Sequence, residues 1–352
     1  MVKIMLIDNE NNKKIYISFL RILSTLAVVF LHTNNTILNN NSYFHFSNGQ
    51  KLVLSTNTVL MNWAVPVFLM ITGELLLDRA KEITIKKCFN KYIRRIVLAL
   101  FIFGVPFSLL EIFLNERRIF CLDLFISLKN VILGNSWSHL WYLYALIGVY
   151  LLLPFLKIYL KNANIDHMKY ILSVLFVFNF IIPLLNNVLN CKIAFNIPIE
   201  GFTIFYVLMG RYIAENIVLK EFNRKFLKEI LILEIVIIIL LNSIFYTEDN
   251  IFLNYDSPII ALLSMTIYSL FSGKTLKRWK CKIWKLDRLC FTVYLIHPIF
   301  INFFYKFLKI TPLSFGNFYP IFLVLFWILF TVLSFGGAKI LYSIPFLKKN
   351  VL

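Results

Sequence analysis

Apolar runs of bilayer length recur from one end of this chain to the other, and about 20 consecutive apolar residues are what a helix needs to cross ~30 Å of hydrocarbon. They fall at 15–33, 56–77, 96–114, 138–156, 170–189, 200–214, 229–246, 257–272, 289–308 and 318–345. By length and hydropathy that makes about ten transmembrane helices, with 200–214 and 257–272 the shortest. Of 352 residues 59% are hydrophobic and only 15% charged, too few to present a polar surface all round. The expected fold class is all-α, a polytopic membrane protein.

No span repeats another, no low-complexity tract intervenes, and the connections are too short for a second folded domain. The expected organisation is a short cytoplasmic segment over 1–14, one integral-membrane domain over 15–346 and a cytoplasmic tail over 347–352. Such a protein has membrane lipids as its first partners. The wealth of Asn, Lys, Ile and Phe fits an AT-rich bacterial genome, so the expected location is a bacterial plasma membrane.

The formal net charge of +18 would elsewhere suggest nucleic acid. Here the charges lie between apolar runs and report topology, so no nucleic-acid partner is expected. Lysine and arginine concentrate before the first span (Lys3, Lys13, Lys14), between the second and third (Arg79 to Arg95), between the sixth and seventh (Arg211 to Lys228) and between the eighth and ninth (Lys274 to Arg288). Alternate loops are nearly bare, which places both termini in the cytoplasm. The first span carries Arg21 and His32 and lacks a small-residue cleavage pattern, so it reads as a retained helix rather than a signal peptide.

Those two ionisable groups share one membrane-length segment. Titratable side chains are costly in hydrocarbon, so they face a bundle interior or a water-filled cavity. Eleven residues make just over three turns, so Arg21 and His32 lie on one face about 16 Å apart along the axis. The plainer alternative is an arginine snorkelling to the cytoplasmic headgroups and an interfacial histidine.

Other polar positions carry two readings each. His139, between Trp137 and Trp141, is either an aromatic-belt residue or a substrate contact. Glu74 has Arg79 and Lys81 as nearby candidate partners. His297 precedes Pro298, where it either bonds backbone freed by the proline or takes part in chemistry. Glu200, Tyr43, Phe44, Trp137 and Trp141 are candidates for a sugar-binding groove, because sugars stack their C–H faces on aromatic rings. Five cysteines show no metal-ligand spacing, no metal site is expected, and free buried thiols fit better than a Cys121–Cys191 disulfide. The run Lys277-Arg-Trp-Lys-Cys-Lys-Ile-Trp-Lys285 reads as an interfacial basic segment with tryptophan anchors.

The segment Tyr16-Ile-Ser-Phe-Leu-Arg-Ile-Leu-Ser-Thr-Leu-Ala-Val-Val-Phe-Leu-His32 resembles the first helix of the acyltransferase 3 family, integral-membrane enzymes that O-acylate cell-surface glycans. Val65-Pro-Val-Phe-Leu-Met-Ile-Thr-Gly73, Lys91-Tyr-Ile-Arg-Arg95, the run from His139 to Pro154 and Tyr294-Leu-Ile-His-Pro298 resemble further signatures of that family, in order. One departure is Ser18, where many members have an aspartate three residues before the helix-one arginine. The resemblance implies an O-acyltransferase, O-acetyl transfer first, that uses acyl-CoA (acetyl-CoA) as co-substrate with no tightly bound cofactor, and a surface or lipid-linked glycan as acceptor.

Within that frame Lys91, Arg94 and Arg95 are candidate contacts to the donor's phosphates, against the simpler reading as topology determinants. Arg21 is the candidate contact higher on the donor, and a pantetheine arm would bridge to His32. His32 is then the general base at the acceptor hydroxyl, or the carrier in an acyl-histidine relay. His139, Trp141 and Glu200 are the candidate substrate contacts. A transporter of lipid-linked or surface polysaccharide is the rival class; it would be expected to show broken helices and an inverted repeat, and none is legible.

Overall fold

The computed structural model describes residues 2–39, 47–195, 197, 201–215, 224–245, 254–273 and 280–352. Every regular element among them is helical. In chain order these are α1 (Val2–Asn39), α2 (Asn48–Met61), α3 (Ala64–Leu76), the single turn α4 (Ile85–Lys87), α5 (Arg94–Glu116), α6 (Cys121–Leu133), α7 (Trp141–Asn162) and α8 (Ile165–Phe176). They continue as α9 (Ile182–Val188), α10 (Phe202–Glu215), α11 (Arg224–Ile244), α12 (Pro258–Phe271), α13 (Lys280–Asn302), α14 (Tyr319–Ser343) and α15 (Pro345–Asn350). π-helical turns at Cys88–Ile93, Val177–Ile181 and Phe303–Phe307 join or extend several of them.

Among the described residues seven helical segments are long and apolar enough to cross a membrane: Ile15–Ile37, Asn48–Leu76, Ile85–Glu116, Ser138–Asn162, Ile165–Val188, Lys282–Phe307 and Pro312–Ser343. This is a multi-pass membrane protein. The other three expected spans correspond to α10, α11 and α12. α10 and α12 have 14 residues each, roughly 21 Å of helix against ~30 Å of hydrocarbon. α11 is longer but carries Arg224, Lys225, Lys228, Glu229 and Glu234.

The chain packs as two compact units, 1–78 with 163–336 and 79–162 with 337–352. In the first unit α1 is the central element and packs against α2, α3 and α13. α10 lies on α3, and α11 lies on α12 and α2. In the second unit α5 packs on α6 and α7. Arg95 ties the start of α5 to the chain end, with Nε donating to the Val351 carbonyl at 2.7 Å and Nη2 to that of Leu352.

The α3–α10 contact is close because glycine supplies it from both sides. A Cβ on Gly73 would lie 1.7 Å from the Val207 carbonyl oxygen, and one on Gly210 would lie 2.0 Å from that of Met70. Small residues let helix backbones approach closely where lipid gives no hydrophobic drive to associate. Backbone cannot move aside as a flexible side chain can. Gly73→Ala is therefore expected to force α3 and α10 apart at a cost of roughly 1–3 kcal/mol or more, lowering the unfolding temperature in detergent. Gly148→Ala is the control, since a Cβ there meets nothing within 4 Å; equal unfolding temperatures for the two variants would contradict the close-crossing account.

Candidate active site

The residues with chemical potential in the first unit lie along the contact between α1 and α13. At one end the Arg21 guanidinium meets Asp287, Nη1 to Oδ1 at 2.5 Å. The second carboxylate oxygen accepts from the Ser18 hydroxyl at 2.7 Å. At the other end the rings of His32 and His297 lie 5.0 Å apart between centroids, inclined at 49°. Arg21 pairs with Asp287 and His32 with His297, so α1 and α13 run in the same direction. Arg21 and His32 both turn toward one neighbouring helix, which is the shared face that their spacing suggests.

Between the two ends the seam is lined by buried side chains. Thr25 returns its hydroxyl to the Arg21 carbonyl at 2.8 Å, and the buried Cys290 thiol points to the Leu286 carbonyl at 3.5 Å. Leu20, Val28, Val29, Val293 and Leu295 are buried around them. α14 and the π turn after α13 cover the C-terminal half of the α1 span. Trp327 donates Nε1–H to the Leu26 carbonyl at 3.0 Å, its ring sits edge-on to Phe30 at 5.5 Å, and the Tyr305 hydroxyl donates to the Thr33 carbonyl at 3.2 Å.

His297 owes its orientation to the proline beside it. Pro298 has no N–H, so the Tyr294 carbonyl four residues earlier loses its helical partner. Nδ1 of His297 lies 2.8 Å from that oxygen and 3.1 Å from the Val293 carbonyl. Carbonyls only accept, so Nδ1 carries the hydrogen and the neutral ring keeps its lone pair on Nε2. Of the two readings of His297, the bond to proline-freed backbone is present, and it leaves the other nitrogen basic. His297 is fully buried, whereas His32 is partly exposed.

Asp287 is a member of the candidate site that the sequence reading did not reach. It sits two residues before the expected start of the ninth span, and α13 begins earlier, at Lys280. Flanking lysines lowered the apparent hydropathy there, although their stems can line a helix while the ammonium reaches water. Asp287 is the one acidic residue in the stretch 274–288, a signal that could have marked it as the partner of Arg21. Ser18, read as a small helix residue, is a hydrogen-bond donor to that carboxylate.

Glu74 near the end of α3 accepts hydrogen bonds from the hydroxyls of Tyr16 on α1 and Tyr268 on α12. In the second unit Lys91 lies in the π turn Cys88–Ile93 with its ammonium 5.9 Å from the Tyr92 ring centroid, and Lys91 and Arg94 are exposed. His139 is buried, its ring 5.8 Å from Phe107 and 6.2 Å from Trp137. Those two rings stack at 4.3 Å, and Trp137 donates Nε1–H to Glu111 at 3.2 Å. Trp141 is exposed. Glu200, Tyr43 and Phe44 lie outside the described residues. Cys88, Cys121, Cys191 and Cys290 are free thiols, but Cys121 and Cys191 are exposed, not buried as expected.

Residues 14–343 match the family model described as an acyltransferase domain, acyltransferase 3. The chain belongs to that family. No curated protein and no solved structure matches it significantly. The match spans nearly the whole chain and includes both members of the α1–α13 seam, so the protein is a membrane acyltransferase.

In this acyltransferase the Arg21–Asp287 pair is a tie between helices as well as a polar cluster. Its side chains are 29% and 15% exposed, between the exposed case, worth up to about 1 kcal/mol, and the buried case, where removing one partner costs about 3–5 kcal/mol. Asp287→Asn leaves the guanidinium uncompensated and is expected to destabilise the protein by roughly 1–3 kcal/mol, a value between those limits. Adding Arg21→Gln to it should recover part of the loss. Thermal unfolding of the single and double variants measures both, and a double variant less stable than the sum of the singles would refute the pairing.

Proposed function

We propose that the enzyme moves an acyl group, acetyl in the first instance, from cytoplasmic acyl-CoA to a hydroxyl of a cell-surface or lipid-linked glycan, with His32 as general base. The reading takes the ten apolar runs as spans, α10, α11 and α12 among them, with both termini in the cytoplasm of a bacterial cell. The basic loops support that topology, and so does the common direction of α1 and α13, which as first and ninth spans must start from one side. The observation that carries the mechanism is a partly exposed imidazole about 16 Å along α1 from Arg21.

A neutral imidazole can take the proton of an attacking hydroxyl without a standing charge in hydrocarbon. The acceptor oxygen adds to the thioester carbonyl, the carbon–sulfur bond breaks, and the proton passes from His32 to the departing thiolate. The products are a glycan ester and CoA. Arg21 has Nη1 engaged by Asp287, so it meets the donor through its remaining N–H groups and not through net charge, since the ion pair sums to zero. Lys91, Arg94 and Arg95 carry exposed positive charge suited to phosphates, and two of the five N–H groups of Arg95 go to the Val351 and Leu352 carbonyls. His139 and Trp141 remain the candidate glycan contacts, with Trp141 the one whose ring is open to stacking.

His32→Ala is expected to lower acyl transfer by roughly 10²–10⁴-fold, the range of general acid–base catalysis, with insertion and unfolding temperature preserved. Near wild-type glycan acylation by cells that hold equal amounts of the variant would remove His32 from the mechanism. Arg94→Gln should weaken acetyl-CoA binding, in a salt-dependent way because exposed charges are screened. Arg95→Gln should instead lower the unfolding temperature. Titration calorimetry against acetyl-CoA decides, and unchanged affinity in Arg94→Gln returns that residue to topology alone.

A further inference from the structure

The two imidazoles at the outer end of the seam are not equivalent. His32 is partly exposed. His297 is fully buried, and its Nδ1–H is committed to the Tyr294 and Val293 carbonyls. Its lone pair is therefore on Nε2, on the side of the ring away from its own backbone, and the ring as a whole lies 5.0 Å from that of His32. A ring with a fixed tautomer, 5.0 Å between centroids from a candidate base, is close enough to orient that base as the third member of a catalytic triad does.

We propose that His297 is a positioning residue for acyl transfer, whose Nε2 lone pair receives the second N–H of His32 as His32 takes the acceptor's proton. The inference rests on His32 acting as the base. As the oxygen–carbon bond forms, His32 becomes an imidazolium at membrane depth, where an isolated cation is costly. A neutral acceptor behind it spreads that charge over two rings and selects the His32 tautomer whose basic nitrogen faces the acceptor hydroxyl. When the carbon–sulfur bond breaks, the proton returns from His32 to the thiolate sulfur and both rings are again neutral. A carboxylate would stabilise the imidazolium more strongly but would itself be a buried anion in every resting enzyme. Histidine supplies the acceptor without the standing charge.

Two substitutions separate this role from a purely structural one. The carbonyl oxygen of a glutamine reaches the place of Nε2, while the amide of an asparagine reaches the place of Nδ1 and keeps the tie to the Tyr294 carbonyl. The full-length enzyme in nanodiscs, given acetyl-CoA with methyl glucoside in excess and read by release of free thiol, is the assay. His297→Gln is expected to keep kcat within about tenfold of wild type, and His297→Asn to lose substantially more, with KM for acetyl-CoA unchanged in both. Equal kcat in the two variants, whether high or low, overturns the proposal, as does activity retained in His297→Asn and lost in His297→Gln. A fully active His32→Ala would instead defeat the reading of His32 on which this one rests.

Discussion

The ion pair between Arg21 and Asp287 is the constraint from which the placement of the histidines follows. A charged side chain at or near hydrocarbon depth must find an opposite charge and saturate its hydrogen bonds, or the segment does not settle there. Asp287 answers Arg21 with one oxygen and Ser18 with the other. That bond fixes how far α13 is shifted along α1 and which of its faces is presented. From that point eleven residues of α1 and ten of α13 lead to His32 and His297, axial runs of about 16 and 15 Å that end almost level. A register set by electrostatics at one end of the seam is thus delivered as a pair of imidazoles at the other.

Ser18 shows how this chain solves a problem that an aspartate at the same position would pose differently. With a carboxylate at 18 as well as at 287, the cluster around Arg21 would hold two anions and one cation. Here the anion comes from the partner helix, and the position on α1 supplies only a hydroxyl, so the cluster sums to zero. The departure from the family pattern is therefore matched within the same contact, and the helix-to-helix tie is made across the seam and not within α1.

Much of this was legible in the sequence where the signal is periodic or local. Apolar runs of spanning length foretold an all-helical membrane protein, and the eleven-residue spacing foretold that Arg21 and His32 share a face. The bond from His297 to backbone released by Pro298 is a three-residue matter and could be anticipated for that reason. What stayed hidden is non-local. Asp287 is 266 residues from Arg21 and lies in a basic stretch that reads as loop. The reciprocal approach of Gly73 and Gly210 needs the crossing of α3 and α10 to be known. Glu74 has basic residues nearby in sequence, yet its carboxylate accepts from tyrosines 58 and 194 positions away. Hydropathy also counts residues without measuring helices, and the described parts of α10 and α12 have 14 residues each, shorter than the other helical segments taken as spans.

Proline within a helix is usually a loss of a hydrogen bond, and in lipid an orphaned carbonyl has no water to turn to. At Pro298 the orphaned oxygen is the one that holds His297. The helix gives up one backbone bond and obtains a side-chain donor in its place, so the carbonyl is satisfied and the ring loses its freedom to rotate. An imidazole left to itself can carry its hydrogen on either nitrogen, and a base or acceptor that is correct only part of the time weakens every step that depends on it. Membrane depth makes this choice more consequential than in water, because no solvent exchanges the proton in passing and a wrong tautomer persists as a buried donor facing a donor. The residue that breaks the backbone pattern of α13 is on this account also the one that gives its histidine a single chemical identity.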